Sequence, residues 1–416
     1  MDAHTSDAPG ASTPTATRRP DRLLPSLLTL AATTFVAVTA EMLPAAVLPY
    51  LSHDLGVTVG QAGLLVSIWA ATVVLASFPL ARWTARFDRR TVITWALVTL
   101  ASATAVTAVA DDFLLAAGSR VVGAGATGLL WSTVNAHAAA IAPEQRLTRA
   151  TAVVLGGATA GTVLAVPLGH TAAGVWGWRA PFLALAVLAL LTAVLVRVVL
   201  APRGARKEGG NGTSGERRPL TPLIMLGALG GLIFAAHFGA FTFVAALLEA
   251  NGSLVPTSVL LLLFGMLSAA GVVAVGQAGD RYPNGLLIAI SALVATTLAG
   301  LMLLGVHPLL DVLLIAAWGA ATGGVGPAVQ ARIMRAAGAE HRTIAGALIP
   351  VTFNLGIAIG AGIGSATVDF TGVTAVPAVA TALAALATVG LVLAARHRPR
   401  PARVSASGRI AEVPCS

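Results

Sequence analysis

Apolar stretches of about 20 residues recur along nearly the whole chain, and each is long enough to cross a bilayer as a helix. They fall at 26–51, 60–81, 91–110, 113–141, 150–175 and 180–200, then at 221–248, 256–278, 284–304, 309–335, 343–368 and 374–395. In hydrocarbon a helix satisfies its own backbone N–H and C=O groups, so a chain built of such runs is confined to very few folds. The expected fold is an all-α membrane protein: twelve transmembrane helices in two six-helix, pseudo-symmetric halves. The expected divisions are a disordered cytoplasmic tail (1–22), an N-terminal half (23–200), a cytoplasmic central loop (201–220), a C-terminal half (221–395) and a basic cytoplasmic tail (396–416).

Composition agrees. Residues are 56% hydrophobic and only 10% charged, where soluble chains carry about 25% charged residues. The 44 glycines suit helices that approach closely in lipid. The net charge of +9 could suggest nucleic acid, but the basic residues sit in short loops between apolar runs, which is a topology signal. The one cysteine, Cys415, is next to last, too near the end for a prenylation box, and leaves no intrachain disulfide or Cys-based metal site. Residues 1–22 lack the short apolar core of a cleavable signal.

With the N-terminus inside, the arginines of 82–90, Arg146, Arg149, Arg197, the central loop, Arg281, Arg332, Arg335, Arg342 and the C-terminal arginines are all cytoplasmic. Of the 26 basic residues only Arg120 and Arg179 fall elsewhere. The outer loops carry Asp54, Asp111, Asp112, Glu249, Asp311 and Asp369 instead. An odd helix count would break this sorting. Both termini are therefore expected to face the cytoplasm.

Matched loops reveal an internal repeat. After the second run the chain reads Ala81-Arg82-Trp83-Thr84-Ala85-Arg86-Phe87-Asp88-Arg89-Arg90, and after the eighth Gly276-Gln277-Ala278-Gly279-Asp280-Arg281-Tyr282-Pro283. At these residues the chain resembles the major facilitator superfamily, in its twelve-helix drug/proton antiporter branch, whose loop motif is roughly Gly-x-x-x-Asp-Arg-x-Gly-Arg-Arg. The first copy has Ala81 and Ala85 in place of the usual Gly and Asp, and the second lacks the trailing basic pair. A narrower resemblance is to bacterial sugar-efflux and chloramphenicol-resistance exporters. It is carried by Glu41-Met42-Leu43-Pro44, Leu48-Pro49, Asp54-Leu55-Gly56-Val57, Gly177-Trp178-Arg179 with Phe182, His237-Phe238 and Asn354 to Gly360. The fifth run, with Gly157, Gly161, Pro167 and Gly169, is similar to the superfamily's antiporter motif, except that Thr162 stands where Pro usually follows the second glycine. Ordinary close packing of small residues is the other reading of that run.

The resemblance implies a membrane exporter of small organic molecules driven by proton entry. It also implies that Arg86, Asp88, Arg89 and Arg90, with Gly276, Asp280 and Arg281, act as gating loops that latch the cytoplasmic side. The other reading of the loop arginines is topology and anionic-lipid contact. The partners expected are a small-molecule substrate, protons and membrane lipid, with no nucleic acid and a monomeric chain. No metal or organic cofactor is implied.

Ionisable groups inside the apolar runs cost at least ~2.5–3.5 kcal/mol each, which makes them functional candidates by default. Glu41 lies about ten residues, or ~15 Å, below the outer end of the first helix near Leu51, and Arg120 about eight residues, or ~12 Å, below the same face on the fourth. The two lie at similar depth. The resemblance implies that the first and fourth helices line a central cavity, so both are expected to face it, near enough to feel each other. Burial and a neighbouring guanidinium act on a carboxylate in opposite directions. Glu41 can therefore switch between ionised and protonated forms, and a substrate would compete with the proton for it. One proton crossing roughly 100 mV releases ~2.3 kcal/mol, near a fifty-fold substrate gradient. The competing reading is that Glu41 and Arg120 only fasten two helices together.

His237, near the middle of the seventh run, suits either proton traffic or neutral packing. Asn354 could bond substrate or neighbouring backbone, and Asn135 is deep enough in the fourth run to reach a cavity. Trp69, Trp131 and Trp318 could wall it or pack in the core, while Trp176 and Trp178 sit where an aromatic belt would. Proton coupling is thus assigned to Glu41, Arg120 and His237, and substrate binding to Glu41, Asn135, Trp318 and Asn354. An intramembrane hydrolase would want a His-Glu-x-x-His helix or facing aspartates, but Asp280 and Asp311 fall at loop positions, and no phosphate-binding loop of an ATP-driven pump is present. An enzyme is therefore not expected. An Ala- and Gly-rich cavity favours an apolar or amphipathic compound such as an antibiotic over a free sugar. A carrier of sugars, nucleosides or other metabolites, in either direction, is the alternative.

Overall fold

The computed structural model describes residues 23–143, 146–201, 220–278, 285–337 and 341–396. The expected tails, most of the central loop, Asp280 and Arg281 lie outside the described residues. Within them the protein is an all-α membrane protein with twelve helices long and apolar enough to span a bilayer. The first six spans are α1 (Leu23–Asp54), α2 (Val59–Thr84), α3 (Arg89–Ala108), α4 (Phe113–Ile141), α5 (Leu147–Trp176) and α6 (Arg179–Val199). The seventh is α7 (Thr221–Phe241), followed by the short α8 (Val244–Ala250), and the eighth is α9 (Thr257–Ala278). Next come α10 (Leu286–Gly300) with a 3-10 turn, α11 (Pro308–Gly323) with α12 (Val325–Ala337) as the tenth span, α13 (Arg342–Thr371) and α14 (Val376–Arg396).

Local chemistry sets these boundaries. Thr58 and Gln61 form a reciprocal capping box at the start of α2, while Asp88 and Asp112 cap α3 and α4 by accepting from Thr91 N and Leu115 N. The run over 221–248 is not one helix: it breaks at Thr242-Phe243, where the Phe243 N–H donates to the Ala240 carbonyl, three residues back, in place of the four-residue helical bond. The tenth span breaks at Gly323-Gly324, just before Pro327, which has no N–H to continue it. Asp311 is not at a loop position either. It lies in the first turn of α11, buried, where it accepts from Ser253 Oγ at 2.6 Å and Gly305 N at 2.9 Å.

The repeat shows in backbone detail. Helices α5 and α13 are both 30 residues long and end on glycines in the left-handed region, Gly177 (φ 81) and Gly372 (φ 94). Each packs through small residues onto the first helix of its own set. Gly157 of α5 lies directly on the Ala31 carbonyl of α1, a Cβ on Gly161 would stand 3.0 Å from the Phe35 carbonyl, and Thr34 Oγ1 donates to Val154 O at 2.7 Å. In the second set Gly360 of α13 lies on the Ala235 carbonyl, and a Cβ on Gly356 would stand 2.5 Å from the Gly231 carbonyl. Lipid offers no hydrophobic drive to join helices, so this backbone-to-backbone contact supplies the attraction.

One end of the bundle carries Asp54, Asp111, Asp112 and Glu249 and is called here the acidic face; the opposite end, with Arg82, Arg86, Arg89 and Arg90, is the arginine face. The two sets meet between midplane and acidic face. Val66 and Ala70 of α2 form a buried cluster with Ile357 and Ala361 of α13. Nearer the acidic face, Gly60 abuts Asp369 and Ser365, and Gly63 abuts the Phe243 ring. The acidic face is therefore sealed, and the seal rests on positions with no room for a side chain. Gly63→Val should prop it open. In a Cys415→Ser background, a membrane-impermeant maleimide at the acidic face should then label Ser67→Cys, which it should not reach when Gly63 is kept. Equal labelling of both proteins would place the seal elsewhere.

Candidate functional site

Pro44 has no N–H, so within α1 the carbonyl of Ala40, four residues earlier, has no helical donor. The buried Arg120 of α4 takes it: Nη1 donates to Ala40 O at 2.7 Å and Nη2 to Glu41 O at 3.4 Å. Its guanidinium lies 3.8 Å from the ring centroid of Trp69 on α2, a cation–π contact away from water. The Glu41-Met42-Leu43-Pro44 motif thus builds an arginine socket out of helix backbone. Glu41 and Arg120 are brought together as the helix depths predict, but the guanidinium meets Glu41 at its backbone carbonyl, which leaves the half-buried carboxylate free for a proton or a ligand. Two polar atoms of this contact are buried without partners, Arg120 Nε and Trp69 Nε1. Such groups cost ~1–3 kcal/mol each when unsatisfied, and a hydrated or ligand-filled cavity would satisfy them.

The second set presents an aromatic counterpart. His237 of α7 is ringed by Phe238 (4.8 Å between centroids), Phe241 (5.4 Å), Trp318 of α11 (5.5 Å) and Phe264 of α9 (6.0 Å, nearly parallel). Its Nδ1 and the Trp318 indole N–H are buried without partners. The first, second and fourth spans supply Glu41, Trp69 and Arg120, and the seventh, eighth and tenth supply His237, Phe264 and Trp318. The pseudo-symmetric positions therefore make a charged wall in one set and an aromatic wall in the other.

The remaining candidates spread out. Trp318 is fully buried behind His237, Asn135 is exposed on α4 toward the arginine face, and Asn354 is half-buried, with Nδ2 donating to the Pro350 carbonyl of its own helix at 3.1 Å. Among the loop residues, Arg89 donates to Ala136 O on α4 at 2.9 Å, and Arg90 to Leu200 O at 3.2 Å just past α6. These two arginines bind parts of the first six spans to each other, while Asp88 caps its own helix. Gly276 stands in open space. Of the antiporter-like residues, Gly157, Gly161 and Gly169 face α1. Pro167 leaves the Val163 carbonyl without a helical donor, and Gly265 of α9 approaches it, its Cβ position 2.7 Å away. Trp178 is not a belt residue: it is buried, donates to Asp54 Oδ2 at 2.9 Å, and with Arg179, which pairs with the same carboxylate, clamps α1 to the start of α6. That pairing also accounts for a basic residue on the acidic face.

Sequence reasoning missed Pro44 as the origin of the arginine socket, though its spacing of four from Ala40 was there to be read. It also missed Phe241 and Phe264, which only their depth in the helices marks. A double-mutant cycle tests the socket. Arg120→Ala should lower thermal stability by ~1–3 kcal/mol through the orphaned carbonyl. Pro44→Ala restores an N–H for that carbonyl, so the double variant should lose less than the sum of the two single ones. Strict additivity would sink the idea.

Residues 30–349 match the family model of the Major Facilitator Superfamily. The chain is 34% identical over 341 residues to a chloramphenicol resistance protein of Streptomyces lividans, covering 80% of this chain and 86% of that one. It is 30% identical over 369 residues to a chloramphenicol efflux pump of Mycobacterium tuberculosis, covering 86% and 89%. The crystal structure of the nucleoside transporter NupG superposes on 89% of this chain and 99% of its own with a TM-score of 0.75 at 12% identity, a likeness of fold alone. This protein is a transporter and not an enzyme, and the chain belongs to the Major Facilitator Superfamily.

Proposed function

We propose that the protein exports small apolar or amphipathic organic compounds, chloramphenicol-like antibiotics first among them, across the bacterial cytoplasmic membrane in exchange for protons. One observation carries this reading: a carboxylate, Glu41, stands at mid-membrane within the field of the Arg120 guanidinium, whose hydrogen bonds go to backbone carbonyls instead. The names of the relatives, an antibiotic resistance protein and an efflux pump, support the substrate class and direction.

In this reading the arginine face and both termini lie in the cytoplasm, which the distribution of basic residues supports. Two bodies, 23–200 and 221–395, rock about the midplane on the 201–220 loop. With the acidic face sealed, the site is reached from the cytoplasm. Substrate docks between the charged wall and the aromatic wall, and its polar group displaces the proton held by Glu41. When the seal opens, a proton from outside returns to Glu41 and releases the substrate. The arginine loop 82–90 latches the cytoplasmic side in that second state. Arg120 keeps the charge of the site fixed while Glu41 changes its own.

The test is a susceptibility panel in a host lacking its own exporters. Expression should raise the inhibitory concentration of chloramphenicol and lower its accumulation, and a protonophore should abolish both effects. Glu41→Gln, which keeps the shape and removes the titratable proton, should return resistance to the level of the empty host with the protein still in the membrane. Full proton-driven transport by this variant would remove Glu41 from the coupling step. Unchanged susceptibility to every compound would point instead to a sugar, nucleoside or other metabolite carrier.

A further inference from the structure

Away from the meeting plane of the two sets, a groove of about 640 Å³ opens between α2, α3 and α4 in the half of the bundle nearest the arginine face. Its walls are hydrocarbon and aromatic, with Leu80 and Trp83 on one side, Trp95 on the second, and Val122 and Leu129 on the third. Its threonines add little polarity, since Thr72 and Thr84 turn their hydroxyls back onto the Ile68 and Leu80 carbonyls. Trp83, Trp95 and Val122 are each more than half exposed, so the groove is open along its length to the bilayer.

Its mouth is cationic. The Arg86 guanidinium stands 5.0 Å from the Phe87 ring centroid and 5.5 Å from that of Trp83, both rings being walls of the groove. Arg89 and Arg90 spend their charge on the carbonyls of Ala136 and Leu200. Arg82 and Arg86 are exposed, and among the described residues neither has an anionic partner. An apolar slot beneath a pair of unneutralised guanidiniums matches one kind of occupant, an amphiphile with a negative head at the level of the headgroups.

We propose that this groove is a specific binding site for one anionic phospholipid, with an acyl chain lying against Trp83 and Trp95 and the phosphate on Arg86 and Arg82. The site is distinct from the midplane walls, and its existence does not depend on what the protein transports.

The two groove tryptophans report on it directly. The chain is placed in nanodiscs containing a minor fraction of phosphatidylglycerol brominated in its acyl chains, or the same fraction of brominated phosphatidylcholine, and tryptophan emission is read. Stronger quenching by the anionic lipid is expected. Arg86→Gln, which removes the free cation, and Val122→Phe, which fills the slot from an exposed position, should each abolish the excess while leaving size-exclusion elution unchanged. Equal quenching by the two lipids in the native chain would overturn the proposal, because it is what unspecific annular lipid gives. An excess that survives both substitutions would overturn it too, by placing the lipid elsewhere. Relief of the quenching by added chloramphenicol but not by unbrominated phosphatidylglycerol would assign the groove to the transported compound instead.

Discussion

The bond from Arg120 to the Ala40 carbonyl holds together three things that would otherwise be incompatible. A guanidinium deep in a bilayer needs acceptors, a proline in a spanning helix leaves an acceptor unused, and a carboxylate beside that cation would ordinarily be drawn into an ion pair with it. Here each difficulty removes another. Pro44 exposes the carbonyl, Arg120 occupies it at 2.7 Å, and the Glu41 side chain is spared an ion pair. The Trp69 ring closes the remaining face of the guanidinium without adding a proton acceptor that would compete with Glu41.

The rest of the architecture keeps that point in register while allowing large movement elsewhere. Within each set, glycines lay helix backbones directly on one another, α5 on α1 and α13 on α7, so neither body can easily deform. Between the sets the contact runs along α2 with α13 and α5 with α9. There too it is made by small residues and short side chains, Gly63, Ala70 and Gly265 on one side or the other. The broken helices, at Thr242 and at Gly323-Gly324, both belong to the second set, so the two bodies are alike in plan but not in stiffness.

Much of this was legible from residue order alone. The number of spans follows from run length, and the depth match of Glu41 and Arg120 follows from helical rise, because both count residues along a nearly regular path. The breaks were harder to see. The break after α7 falls at Thr242-Phe243 inside a run that hydropathy reads as continuous, and Gly323 matters for what lies opposite it, the Ser268 carbonyl of another helix. The same limit hid the burial of Trp178: its position at a span end suggested an interfacial ring, but its partner Asp54 is distant in sequence. Trp69 and Trp318 read alike in the sequence and differ in the structure, one stacked on a cation and the other packed among rings, because their surroundings come from different helices.

The unlike walls carry an implication for how such a carrier can diversify. The charged wall is bound into its helices by a proline-dependent bond, so changing one member disturbs the others. The aromatic wall of His237, Phe238, Phe241, Phe264 and Trp318 is held by ring packing, which tolerates exchange of one flat or bulky side chain for another. Exchange of one ring for another can therefore reshape that side of the bundle while the proline-dependent bond on the other side stays unchanged.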